Sequence, residues 1–231
     1  MNSPAYTYTL SFGIAIALLA LLTGVSSFPL PDNQQGYEPP QPIAFSHQLH
    51  AGELSIDCQY CHTGAETSRH AGIPAANVCM NCHKVVTSSW GAVMAEDKRI
   101  EELKEQAKKE NKELSPEQTL PQLTISDELK KVYDALALND ERLPDPTKTP
   151  HAIEWVKVHN LPDYVYFDHR GHVDAGVACQ TCHGEVESMQ RVRQEGSLSM
   201  GWCINCHRES NLTGVNGKQV NASLNCTTCH Y

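Results

Sequence analysis

Five times in this chain two cysteines stand three positions apart, with a histidine directly after the second. They are Cys58, Cys61 and His62; Cys79, Cys82 and His83; Cys179, Cys182 and His183; Cys203, Cys206 and His207; and Cys226, Cys229 and His230. Together they use all ten cysteines of the 231 residues. Two thiols at that spacing can add to the two vinyl groups of one porphyrin, and the adjoining histidine can reach back to the iron; this is the attachment chemistry of c-type haem. Zinc and disulfides compete for paired cysteines. Zinc needs two pairs for each ion, so five pairs leave one over, and neither use requires a histidine at the same place five times. The pattern predicts five covalently bound haem c groups, no disulfides, and attachment outside the cytoplasm.

Composition narrows the function classes. A net charge of −9 and a pI near 5.7 offer no basic field for phosphates, which disfavours nucleic-acid binding. Hydrophobic residues make up 40%, an ordinary value for a folded chain, but aromatics only 6%. So thin an aromatic complement suits a core completed by porphyrin faces, whose apolar area is buried in place of side chains. The expected fold is a multihaem cytochrome c, mostly α and irregular, with a haem-packed core, little β structure and one N-terminal transmembrane helix.

Seven histidines lie outside the pentads: His47, His50, His70, His151, His159, His169 and His172. A filled sixth position on a haem iron suits electron transfer, an open one ligand binding or catalysis. Residues 43–62 read IAFSHQLHAGELSIDCQYCH and residues 165–183 read VYFDHRGHVDAGVACQTCH. Each carries Phe-x-His-x-x-His shortly before a pentad, an internal repeat that divides the pentads into a pair and a trio. The repeat resembles the opening of class III multihaem cytochromes, the cytochrome c3 and c7 group. The resemblance implies that the first histidine of each pair ligates the next haem and the second a neighbouring one. His47 would then complete the haem of His62, His169 that of His183, and His50 and His172 those of His83 and His207. For the haem of His230 the candidates are His70, in RHAGIP, His159, in VHNLPD, and Met200, in SLSMGWCINCH; a methionine would raise the potential, and its ordinary alternative is a flexible core filler. His151, after a Thr-Pro loop, is expected to be exposed. No catalytic residue is assigned.

The elements that must carry these groups follow from the rest of the chain. Residues 10–30, LSFGIAIALLALLTGVSSFPL, hold no charge, and the first Lys or Arg is Arg69. A secretory signal would want a positive start, so a retained anchor at residues 8–30 is expected, of the length a bilayer requires. A Pro-rich spacer at 31–42 would lift the first haem from the membrane, followed by a two-haem module at 43–90 and a three-haem module at 151–231. Between them, residues 84–150 hold 25 of the 45 charged side chains and no cysteine, which marks 91–150 as a charged helical insertion, either a solvated structural segment or a docking surface. Val93, Ile100, Leu103 and Ala107 fall on one stripe of a first helix. Ser126 is a natural N-cap for a second, with Leu129, Val132, Tyr133 and Leu136 inward. Sequons at Asn211, Asn221 and Asn225 are discounted, since the third overlaps a pentad.

The full combination resembles the pentahaem cytochrome c component of bacterial alternative complex III. The features that carry it are the hydrophobic N-terminus, pentads split two and three, HAGIP, WVKVHNLPDYVYFDHRGHV and MGWCINCHR. It covers roughly residues 10–90 and 150–231, and the charged insertion matches least. It implies a respiratory complex with iron–sulfur and quinol-binding membrane subunits, in which this chain relays electrons to a cytochrome c or a terminal oxidase. It also implies a single-pass protein of the bacterial cytoplasmic membrane, with the haem domain on the periplasmic, outer face. The nearest alternative is a membrane-anchored quinol dehydrogenase cytochrome of the NapC/NrfH type, in which the first haem sits beside the membrane; here 27 residues separate Leu30 from Cys58. A multihaem reductase is disfavoured because all five pentads end in histidine.

Overall fold

The computed structural model describes residues 11–21, 33–121 and 124–230. Residues 11–21 form helix α1, exposed along its length. The remainder of the expected anchor, residues 8–10 and 22–30, lies outside the described residues. Among the described residues no helix is long and apolar enough to cross a membrane.

Each pentad sits on a helical turn, because a cysteine three residues ahead of another shares a helix face with it only there. α2 is Cys58–Cys61 and α3 is Ala76–His83. The insertion supplies α4, Trp90–Lys109, the single turn α5, Pro116–Thr119, and α6, Asp127–Ala135. The second half contains α7, His169–Asp174, α8, Gln180–His183, α9, Met200–Thr213, and α10, Cys226–Cys229. Side chains placed just before these turns accept from otherwise unpaired amides: Asp57 from Gln59, Asp168 from Arg170, Ser199 from Trp202 and Asn225 from Thr227. Among the described residues β structure amounts to three isolated bridges, one of which joins Val165 to His230.

The protein's own core is small. Ile43, Leu129, Val132 and Tyr133 are buried together, with Met80, Cys79, Ile153 and Trp155 packed on them. Three of those four come from α6 and the fourth, Ile43, opens the segment of the first repeat, so the insertion and the two-haem module share one core. Ser126 caps α6 by accepting from Leu129, and of the inward stripe read from the sequence Leu129, Val132 and Tyr133 are buried, while Leu136 follows the helix as its C-cap and is half-buried against the same core. Tyr133, 1% exposed, donates its hydroxyl to the His83 carbonyl oxygen at 3.0 Å. On α4 only Ile100 and Ala107 are buried; Val93 is exposed.

Two halves of the chain clasp each other through their repeats. The Gln48 amide donates to the Met189 carbonyl at 2.9 Å and the His169 amide to the Arg69 carbonyl at 3.2 Å. Arg69 also donates to the Phe167 carbonyl at 3.1 Å and lies over the Tyr166 ring at 4.3 Å. The π-helical turn Gln48–Glu53 presses on the 3-10 turn Val186–Ser188. There a Cβ on Gly52 would run into the Glu187 carbonyl oxygen, so the close approach requires glycine. The spacer is fastened down as well: Gly36 donates to Gln194 at 2.7 Å and Gln194 to Tyr37 at 3.1 Å. Residues 34–38 thus run along the second half before the chain enters the first.

Candidate haem centres

The repeat builds the same arrangement twice. Phe45 stacks on His50, with centroids 4.3 Å apart and planes 26° from parallel, and stands edge-on to His47 at 4.9 Å. Phe167 stacks on His172 at 4.7 Å and 30° and stands edge-on to His169 at 4.9 Å. One phenylalanine therefore wedges two imidazoles apart. The two histidines are three residues apart on one helical face, yet they are aimed at different pentads.

Each of these four rings faces a pentad histidine. His47 and His62 have centroids 6.5 Å apart and planes within 4°; for His169 and His183 the values are 6.4 Å and 5°. His50 faces His83 at 6.1 Å and 58°, and His172 faces His207 at 6.0 Å and 39°. An imidazole nitrogen binds a transition metal at about 2 Å, so two rings on opposite sides of one ion have centroids roughly 6 Å apart. The four pairs match that spacing.

Hydrogen bonding prepares the same nitrogens. A carbonyl oxygen can only accept, so an Nδ1 facing one carries the proton and leaves Nε2 free for a metal. The Nδ1 of His62 donates to Gly72 at 2.5 Å, that of His83 to Val86 at 2.7 Å and that of His207 to Ser223 at 2.6 Å. Among the repeat histidines, His50 donates to Ser46 at 2.8 Å, His169 to Arg69 at 2.9 Å and His172 to Asp168 at 2.9 Å. His183 differs: its Nδ1 lies 3.2 Å from Nε2 of His159. The Nδ1 of His47 is buried without a partner. Burial lowers the pKa of His47 and of His183 to about 4, their neighbouring imidazoles adding to the effect, and it lowers that of His159 too.

The ten cysteines all lie in the pentads. All ten are free, and burial pushes the thiols of Cys61, Cys79 and Cys203 up and that of Cys182 up to about 11. Among the described residues no cluster of three or more His, Cys, Asp or Glu side chains is placed to hold a bare metal ion. Paired imidazoles at the spacing of a shared ion, one of each pair directly after two thiols, fit haem.

Contacts between thiols order the pentads in space. Cys61 neighbours Cys82, Cys58 neighbours Cys179, Cys182 neighbours Cys203 and Cys206, and Cys203 neighbours Cys229. His183 also lies near enough to His62 to feel its charge. The row therefore runs second, first, third, fourth, fifth, and the third pentad stands in the middle.

The last pentad is built differently. Among the described residues no histidine ring stacks on His230; Tyr164 does, at 5.9 Å and 29°. Of the three candidates for this centre, His70 is exposed, His159 is engaged at His183, and Met200 is 65% exposed at the first position of α9. His151 is exposed, its amide held by the Ala135 carbonyl at 2.9 Å.

Residues 165–231 match the family model of cytochrome c7 and related cytochrome c. This part of the chain is similar to a cytochrome c7-like multihaem domain. Covalently bound haem c is the cofactor that this likeness implies. Over 210 residues the chain is also 22% identical to the menaquinone reductase multihaem cytochrome c subunit of Nitratidesulfovibrio vulgaris (strain Hildenborough), a match covering 82% of this chain and 76% of that protein. The likeness to a multihaem cytochrome c therefore extends well beyond the C-terminal trio. Three features of the centres were not read from the sequence: the wedging role of Phe45 and Phe167, the support of His83 by Tyr133, and the contact of His159 with His183. The phenylalanines were visible in the repeat. The other two join residues 50 and 24 positions apart and left no local signal.

Proposed function

We infer that this chain is the pentahaem electron-transfer subunit of a quinol:electron-acceptor oxidoreductase of the alternative complex III type. The observation that carries this reading is the pairing of four repeat imidazoles with four pentad imidazoles at the spacing of a shared metal. In it, the ten pentad cysteines hold five haems as thioethers. His62, His83, His183, His207 and His230 are the proximal ligands, and His47, His50, His169 and His172 are distal. Haem, when bound, supplies a one-electron couple whose potential follows its axial ligands and burial. The chain's own part is to close both sides of each metal, fix the imidazole tautomers and space the sites in an unbranched row. Closed coordination suits relay rather than catalysis.

For the fifth centre, Met200 is assigned as the distal ligand. It lies one helical turn before Cys203, whose thiol neighbours that of Cys229, whereas His159 is engaged elsewhere. Residues 8–30 are assigned as a single-pass anchor in the bacterial cytoplasmic membrane, with the haem region on the outer face, where haem attachment takes place. The partners are an iron–sulfur subunit, quinol-binding membrane subunits, and a cytochrome c or terminal oxidase that accepts the electrons.

A second reading, a complex that reduces quinone instead of oxidising quinol, is favoured by the name of the relative, a menaquinone reductase subunit. The two differ only in the direction of flow. Purification of the chain from its native membrane with co-purifying subunits, followed by quinol addition, tests both. Reduction of the haems by menaquinol, with onward transfer to cytochrome c, supports the first reading. Haems that stay oxidised with quinol but, once reduced with dithionite, are reoxidised by added quinone support the second, and a chain that purifies alone and soluble sinks both.

A further inference from the structure

Of the seven hydrogen-bonded Nδ1 atoms in the facing pairs, six meet a backbone carbonyl and one meets another side chain. That one is His183, in the middle of the row, with Nε2 of His159 at 3.2 Å. The two rings stand edge to face, with centroids 4.4 Å apart and planes at 76°. This is not the arrangement of two ligands on one metal, which the His169–His183 pair shows at 6.4 Å and 5°. Both rings are partly buried, which shields the contact from water and strengthens it.

We propose that His159 is the positioning residue of the central haem, accepting a hydrogen bond from Nδ1–H of His183 and thereby lowering that haem's potential. This rests on the relay reading above, in which Nε2 of His183 holds the iron. With Nε2 so engaged, Nδ1 of His183 carries the proton, and Nε2 of His159 can only accept it. An imidazole nitrogen is a stronger base than an amide carbonyl. The bond therefore gives His183 more imidazolate character than its counterparts have, and a more basic ligand favours ferric over ferrous iron. The counterpart in the first half is His62, which is identical in its ring pairing but donates to the Gly72 carbonyl. One titratable side chain thus distinguishes two haem sites that the repeat otherwise makes alike. The segment around it reads VHNLPD, with Pro162 limiting the freedom of the chain that carries it.

The test uses the full chain, wild type and with His159→Leu and His159→Gln, each measured for haem content, low-temperature EPR and potentiometric titration. Wild type comes first. Five haems with low-spin signals uphold the relay reading; their absence overturns that reading and the proposal with it, whereas a failure of the proposal alone shows in the variants with all five wild-type signals present. With His159→Leu, the expected result is five haems retained and one of the five midpoint potentials shifted upward. His159→Gln, whose side-chain oxygen can still accept, should return that potential most of the way. Unchanged potentials in both variants overturn the proposal. So does a low-spin signal replaced by a high-spin one, which would make His159 an axial ligand. Should a variant fail to mature, proton NMR of the fully reduced wild type decides. An exchangeable Nδ1 proton of a ligating imidazole should show cross-relaxation to the ring protons of a non-ligating histidine, and its absence also overturns the proposal.

Discussion

The first and second repeats use the same phenylalanine wedge and the same two ring pairings, to within 0.1 Å in centroid distance for each pair. They differ in what stands behind those rings. In the first half, α6 packs on α3, and Tyr133 holds the His83 carbonyl, so the protein's own core supports the second pentad. Among the described residues of the second half no such core is present, and support comes from loops: His207 donates to Ser223 and Asn211 brackets Ala222 from both sides. The repeat thus sets how the imidazoles meet, while unrepeated segments set how firmly each is held.

The sharpest break of that comparison removes a centre from the middle of the row rather than from its end. Cys179→Ala with Cys182→Ala should lower the haem count by one and abolish electron exchange between the two ends. Cys226→Ala with Cys229→Ala should lower the count equally and leave exchange among the other four intact; mass spectrometry and flash-induced reduction separate the two. Next in size, Tyr133→Ala removes a fully buried ring and leaves the His83 carbonyl without its donor. A loss of about 3–5 kcal/mol is expected for a buried aromatic. Denaturant unfolding should show it in the first half, with the second-half haems unaffected.

Smaller effects sharpen the likeness instead. Phe45→Leu and Phe167→Leu keep an apolar side chain but lose the ring stack, at a cost below about 1.5 kcal/mol each, and both should alter the EPR of the two haems they serve in the same manner. Met200→Leu should convert the fifth haem from low-spin to high-spin and leave the four facing pairs unchanged. In the wild type the planes at 4° and 5° against those at 58° and 39° should give two classes of low-spin signal, each containing one haem from each half. Near-parallel rings split the iron orbitals strongly and rotated rings weakly, so four equivalent signals would contradict the pairing. Least of all, Lys98→Ala on the exposed helix α4 breaks an ion pair with Glu102 whose side chains are 77% and 63% exposed, worth no more than about 0.5 kcal/mol.

Much of the site was legible because its chemistry is local. Two thiols and an imidazole within five residues form a pentad on one helical turn, and Phe-x-His-x-x-His places two imidazoles on one helical face. The cap at Ser126 and the inward stripe of α6 were legible for the same reason, being matters of hydrogen bonding and periodicity within nine residues. The insertion was harder to read. Its charge pointed to solvent, and it is indeed exposed along α4, yet α6 carries most of the protein's own core. Charge counts describe the outer face of a helix and say little about the other.

By itself, then, the sequence determined the five Cys-x-x-Cys-His pentads, the twofold repeat and the caps that start several of the turns. All of these are set by neighbours a few residues apart. The four imidazole pairings were implied by the resemblance and are the ones that face each other; only the tertiary structure decided that the row runs from the second pentad through the first to the third, and that His159 lies on His183 rather than facing His230. Those outcomes depend on contacts such as Arg69 with Phe167 and Gly52 with Glu187, made between segments about a hundred residues or more apart. Close packing of two surfaces selects such contacts, and no local pattern in the chain encodes them.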